Sequence, residues 1–163
     1  MTLTASERDA LMLRYAAGPE RLRASLDTAP AIAALAWRPA PDEWSAHEVA
    51  IHCADSEMNA ALRIRYLVAE REPVIQGYDE FGWASALDYG HHPLTAALVV
   101  VDAVRAHTLP LIRALPEAAW SRRGTHTESG AYSAEDWLRI YAAHLEEHAA
   151  QIERALERWP GRA

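Results

Sequence analysis

Two histidines four residues apart, His144 and His148, stand in the segment His144-Leu145-Glu146-Glu147-His148. On a helix, positions i and i+4 lie one above the other on one face, so both imidazoles can reach one ion at about 2.0–2.1 Å. A step of roughly 100° per residue gathers Trp137, Ile140, Tyr141, His144, His148, Gln151 and Ile152 on one side, and Arg139, Glu146, Glu153 and Glu157 on the other. The histidines therefore point inward with aromatic and aliphatic residues. Buried polar groups without partners cost about 1–3 kcal/mol each, and a shared cation would satisfy both rings. The competing reading is a hydrogen-bonded pair of core histidines in a chain with 8 His, and this spacing alone does not decide between the two. A third imidazole, His52, shares a stripe with Ser56, Asn59, Arg63 and Tyr66, flanked by Val49, Leu62 and Leu67. Such flanks favour a stripe that lines an internal cavity. Periodicity by itself does not bring His52 to the other pair.

Other chemistries fit less well. His-x-x-Glu-His matches an inverted zinc-protease motif with Glu147 as base, but little chain follows His144 to supply a third ligand, and Glu147 falls at the edge of the inward face. It reads as a carboxylate at the surface or beside a ligand. A di-iron bundle needs Glu-x-x-His on two helices, and no His here has Glu three residues before it. No Gly-x-Ser-x-Gly elbow occurs. Cys53 adjoins His52, but adjacent helix positions do not face each other, so it reads as a small hydrophobe. The chain has no Lys, which excludes Schiff-base catalysis. One Cys cannot form an internal disulfide. A net charge of −7 argues against nucleic-acid and anionic-lipid surfaces.

These side chains need a scaffold, and the hydrophobic period is helical almost throughout the 163 residues. That length fits one domain, 1–163. The first helix is predicted from after Ser6 to Thr28, with a kink or break at Gly18-Pro19. A Pro-rich loop, Trp37 to Trp44, follows. Ser45 with Glu48, and Ser133 with Asp136, mark the starts of the second and last helices. The second runs to about Arg71, the third from Pro93 to about Leu115, and the last to about Trp159. Residues 72–92 form a long connection with a short helix over 79–87, and 122–132 a loop or short hairpin. The pattern predicts an all-α four-helix bundle. The N-terminus lacks the apolar run of a signal peptide, and Asp102 stops the apolar run Leu94 to Val101 short of the roughly 20 residues that span a bilayer. No membrane partner and a cytoplasmic location are the expectations.

The segment Trp37-x-Pro39-x-x-Asp42-Glu43-Trp44-Ser45-x-x-Glu48-Val49-x-x-His52-x-x-Asp55-x-Glu57 resembles the signature of the DinB/YfiT-like superfamily. His144-x-x-Glu147-His148-x-x-Gln151-Ile152 resembles its tail, and Asp79, Trp83, Arg105, Trp120 and a His126-x3-Gly130 loop fit its middle. Cys53 departs from it, standing where Leu is more usual. The resemblance implies an up-down-down-up four-helix bundle with long connections and a divalent ion on His52, His144 and His148. Zinc or nickel is the expected metal, with manganese or iron as alternatives. Three imidazoles leave a position for water or substrate, as in catalytic zinc sites. Some relatives are low-molecular-weight-thiol S-transferases, so a metal-dependent S-transferase or hydrolase of a small molecule is the expected activity, with bound water or thiolate as the reactive species. A non-catalytic metal-binding or stress-related ligand-binding domain is the alternative. Ser56, Asn59, Arg63, Trp83, His126, Tyr141 and Gln151 are the expected pocket residues, and a homodimer is the expected assembly.

Overall fold

The computed structural model describes residues 2–162. In chain order the helices are α1 (Ala5–Asp27), α2 (Ile32–Ala36), α3 (Ala46–Ala69), α4 (Glu80–Ala86), α5 (Leu94–Arg113), α6 (Glu117–Trp120) and α7 (Ala134–Glu157). Three short strands accompany them: β1 (Val74–Ile75), β2 (Arg123–His126) and β3 (Gly130–Ser133). The four long helices, α1, α3, α5 and α7, form the bundle. Contacts fix their directions. Arg14 and Arg21 of α1 pair with Glu146 and Glu153 of α7, so these two run parallel. Glu57 and Arg65 of α3 reach Arg105 and Thr108 of α5, again in parallel. His52 and Arg63 of α3 meet His148 and Tyr141 of α7 in reverse order, so that pair is antiparallel. The order is up-down-down-up. Parallel neighbours α3 and α5 require the chain to return the full length of the bundle between them, which explains the long segment 70–93.

The caps follow the sequence where the motif is complete. Ser45 accepts from the Glu48 amide while the Glu48 carboxylate takes the Ser45 amide, and Ser133 with Asp136 does the same. The first helix differs from expectation: it is capped by Thr4 with Glu7, two residues before Ser6. It also runs unbroken through Gly18-Pro19. Pro19 has no N–H for the Tyr15 carbonyl, and Arg105 of α5 supplies one, its Nη1 donating to that oxygen at 2.5 Å. Gly18 makes the room, since a Cβ there would strike the same nitrogen. The pair that reads as a helix break is a socket for an arginine.

Residues 122–132 form the hairpin β2–β3, turned at Gly130 with φ +79°. The unexpected element is β1, which pairs in parallel with β2 through Thr125 N to Pro73 O (2.9 Å) and Thr127 N to Ile75 O (3.0 Å). This small sheet leads directly into α7. Another difference lies in α5, which is long and apolar enough to cross a membrane by length and composition. Here it packs in the bundle and turns Val101, Arg105, Thr108 and Ile112 inward.

The core is in two parts. One holds Leu22, Val49, Cys53, Val101, Leu145 and Ile152. The other holds Tyr15, Ala60, Ile64, Ile112, Trp137 and Tyr141. Between them, at one level of the bundle, each long helix contributes a different kind of group: Gly18, Glu57, Arg105 and His144. The site lies at this polar level.

Candidate metal centre

His52 on α3 and His144 and His148 on α7 meet inside the bundle. One ring nitrogen from each can be chosen so that all three lie within 4.8 Å of one another. Ring centroids are 5.7 Å apart for His52–His144, 4.8 Å for His52–His148 and 4.6 Å for His144–His148. Nitrogens about 2.0–2.1 Å from a common ion are separated by distances of this order or less. Both nitrogens of His52 are buried without a hydrogen-bond partner. An orphaned buried acceptor is costly, and a cation among the three rings would satisfy the one on His52. The donor set fits a divalent metal.

The surroundings orient each ring. Trp44 stacks on His52 at 4.9 Å and is itself covered by Phe81 at 4.7 Å. His148 Nδ1 meets Gln151 Oε1 at 2.8 Å, which assigns the proton to Nδ1 and frees Nε2 as a ligand. His144 Nδ1 faces Glu57 Oε1 at 3.4 Å, and its Nε2 meets Ser56 Oγ at 3.2 Å. A carboxylate behind a histidine is the usual way its other nitrogen is turned to a metal. Glu57 is fully buried, and Arg105 holds both of its oxygens, at 2.9 and 2.6 Å. Burial pushes the Glu57 carboxyl up, but the Arg105 charge together with the hydrogen bonds from His144 and Arg105 leaves the group below the usual carboxylate range.

Burial, reinforced by the neighbouring rings, holds His52 down at about 3 and His148 at about 4. Both are neutral in the fold and able to donate to a metal. In the unfolded chain each takes a proton near pH 6.5. The metal-free protein should therefore keep this share of its stability above about pH 6.5 and lose it progressively as the pH falls toward 4 and 3. By about pH 5 the loss should be on the order of 4 kcal/mol. Urea midpoints of metal-free protein at about pH 7.5 and pH 5 check this, and equal midpoints would refute it.

A cavity of about 250 Å³ opens beside His144. Of the residues expected from sequence, Ser56, Arg63, His126 and Tyr141 line it. Three others do not. Asn59 turns back on its own helix and donates to the Asp55 carbonyl, because a short amide satisfies itself there before it can reach across the bundle. Trp83 stacks on Tyr78 at 4.4 Å and packs on the core, where its large ring loses most water. Gln151 serves His148 instead of the cavity. Ile140, expected to face inward, is 49% exposed at the cavity's edge. Glu147 is exposed, and Cys53 is a fully buried core residue. Tyr78, Glu80, Glu128 and Tyr132 also line the cavity and carry no signal in the sequence. They come from the 70–93 segment and the hairpin, whose placement depends on the β1–β2 pairing.

His126 uses Nδ1 to accept from the Glu128 and Ser129 amides at 3.3 and 3.4 Å, closing the hairpin loop. That leaves Nε2 to carry the proton. Burial, followed by the charge of Arg63, lowers its pKa, so this wall of the cavity gains no second positive charge at neutral pH.

The comparisons with known proteins agree with this architecture. YfiT from Bacillus subtilis, described as "a probable metal-dependent hydrolase with an unusual four-helix bundle topology", superposes with a TM-score of 0.88 over 96% of this chain and 90% of its own, at 22% identity. That likeness is one of fold. A "putative metal-dependent hydrolase" of Oceanobacillus iheyensis is 37% identical over 109 residues, which is 67% of this chain and 63% of the relative. One of the same description from Bacillus mycoides is 30% identical over 115 residues, 71% of this chain and 66% of the relative. The alignments thus span just under two thirds of these relatives' length. The profile of the DinB superfamily matches residues 14–152, a span that runs from the first bundle helix to the last and includes all three clustered histidines, so this chain belongs to the DinB superfamily.

Proposed function

We propose that the protein is a divalent-metal-dependent enzyme acting on a small molecule, with the ion held by His52, His144 and His148. Zinc or nickel suits the three neutral imidazoles, as do manganese and iron. The observation that carries the reading is the coincidence of two features: three histidine rings converging in the bundle, with both nitrogens of His52 unpartnered, and a cavity that reaches His144. An ion there supplies Lewis acidity and lowers the pKa of water or a thiol that joins it. The chain's own residues do the rest. Glu57 and Gln151 fix the orientation of His144 and His148. Trp44 and Phe81 close His52 off from solvent. Ser56, between His144 and the cavity, offers a hydroxyl to a reacting group.

Hydrolysis is the activity named for the relatives and is the form of the reading preferred here. The test is turnover of an activated ester such as p-nitrophenyl acetate by zinc-, nickel- and manganese-loaded protein, with His148→Ala as control. A parallel assay with glutathione and a haloalkyl fluorophore reads the thiol-transfer form. Metal-dependent turnover abolished in His148→Ala is the expected result. No turnover with any metal in either assay would leave a metal-binding domain without catalysis.

A further inference from the structure

We propose that the cavity beside His144 is a carboxylate site: a small substrate places its carboxylate on Arg63 and so brings its reacting group next to the histidine cluster. This rests on the enzyme reading above and names the class of substrate. Arg63 lines the cavity with Ser56, Tyr78, Tyr141 and His144. Its guanidinium is held in place by two neutral acceptors. Nη1 donates to the Tyr141 hydroxyl at 2.9 Å and Nη2 to the Gln76 carbonyl at 2.8 Å. A guanidinium has five N–H donors, and Nε is left with none accepted. Among the described residues no carboxylate forms an ion pair with it, whereas Arg8, Arg14, Arg21, Arg23, Arg38 and Arg105 each have one. The Tyr78 hydroxyl, on the same cavity, is likewise buried without a partner. Unused donors and a cation without a direct ion pair among the described residues therefore share one wall.

The chemistry of the ligand follows from the rest of the wall. Arginine pairs with planar anions through two parallel hydrogen bonds. His126 is neutral and adds a donor without adding charge. Exposed Glu80 and Glu128 also line the cavity and would repel a dianion, which favours a singly charged carboxylate over a phosphate monoester. A volume of about 250 Å³ falls below the ~300–1,000 Å³ of drug-sized sites, so the ligand is a small one. The wall is continuous with the cluster: the Tyr141 hydroxyl that holds Arg63 belongs to a ring 5.5 Å from His144, and Ser56 touches that histidine.

Butyrate and its neutral isostere butyramide are the probes. Protein labelled with ¹⁵N in arginine is titrated with each, metal-free and zinc-loaded, following the Arg63 Nε–H resonance. Butyrate should shift it saturably in both states, and butyramide in neither. Arg63→Met should weaken butyrate binding to metal-free protein by about tenfold or more, the least that loss of a charged hydrogen bond implies, while zinc affinity stays unchanged because Arg63 touches none of the three histidines. If Arg63→Met does not fold, Arg63→Lys keeps the charge, loses the paired geometry and should bind butyrate more weakly than the parent. Equal butyrate affinity in parent and variant, or no saturable shift at Arg63, would overturn the proposal. Failure to bind zinc would instead overturn the metal reading, since the metal-free titration stands without it.

Discussion

Arg105→Met is expected to destabilise the protein by about 3–5 kcal/mol, a large part of the ~5–15 kcal/mol that holds a typical domain together. Arg105 is 2% exposed and Glu57 not at all. Removing the cation strands a carboxylate at the centre of the bundle. It also strands the Tyr15 carbonyl, which the same guanidinium satisfies, takes the second donor from the Tyr141 carbonyl, and removes the cation 4.1 Å above the Tyr15 ring. The consequence reaches α1, because the Tyr15 carbonyl is the one that Pro19 cannot serve. Adding Glu57→Leu should recover much of the loss, since apolar replacement of a whole buried pair is often neutral or better. Recovery should be incomplete because the Tyr15 carbonyl stays unpaired. Urea unfolding of the two single variants and the double variant measures all three. A cost for Arg105→Met no larger than that of an ordinary surface substitution would show that the pair is not the keystone of this layer.

Glu57→Gln is expected to weaken metal binding by about 10–100-fold, the usual effect of losing the group behind a ligating histidine. The glutamine has nearly the same shape and still offers one oxygen toward His144 Nδ1, but it is neutral. It no longer favours the proton on that nitrogen, and its amide must turn one donor toward Arg105. Competition with a chromophoric chelator gives the affinity, and circular dichroism checks that the fold persists. The double variant Glu57→Leu with Arg105→Met separates the two roles of this pair. It should regain stability and still bind metal weakly, because nothing then orients His144. An affinity equal to the parent's in Glu57→Gln would leave the carboxylate a purely structural role.

Much of this layout was legible in the chain. Ser45 with Glu48 and Ser133 with Asp136 satisfy helix-end amides within four residues, a local interaction that sequence records directly. His144 and His148 share a face by helical period alone. The convergence of His52 on them is a long-range fact, which periodicity leaves open and family resemblance implied. Gly18-Pro19 misled because its reason lies on another helix: the guanidinium of Arg105 fills the space and takes the carbonyl. β1 was missed because Val74 and Ile75 are too few to show a period, and their pairing partner lies some fifty residues away. The cavity wall built by Tyr78, Glu80 and Glu128 was missed with it. Asn59 and Trp83 fell outside the cavity because a side chain's own neighbours compete for it, which a stripe on a helical wheel does not show.

The measurement closest to the central claim is metal stoichiometry. Protein stripped with chelator, titrated with zinc at about pH 7.5 and followed by calorimetry and elemental analysis, should bind one equivalent. His52→Ala, which removes the ligand farthest in sequence from the other two, should lose that binding while keeping its helical spectrum. Full-affinity binding by His52→Ala, or no bound zinc in the parent, would contradict the account.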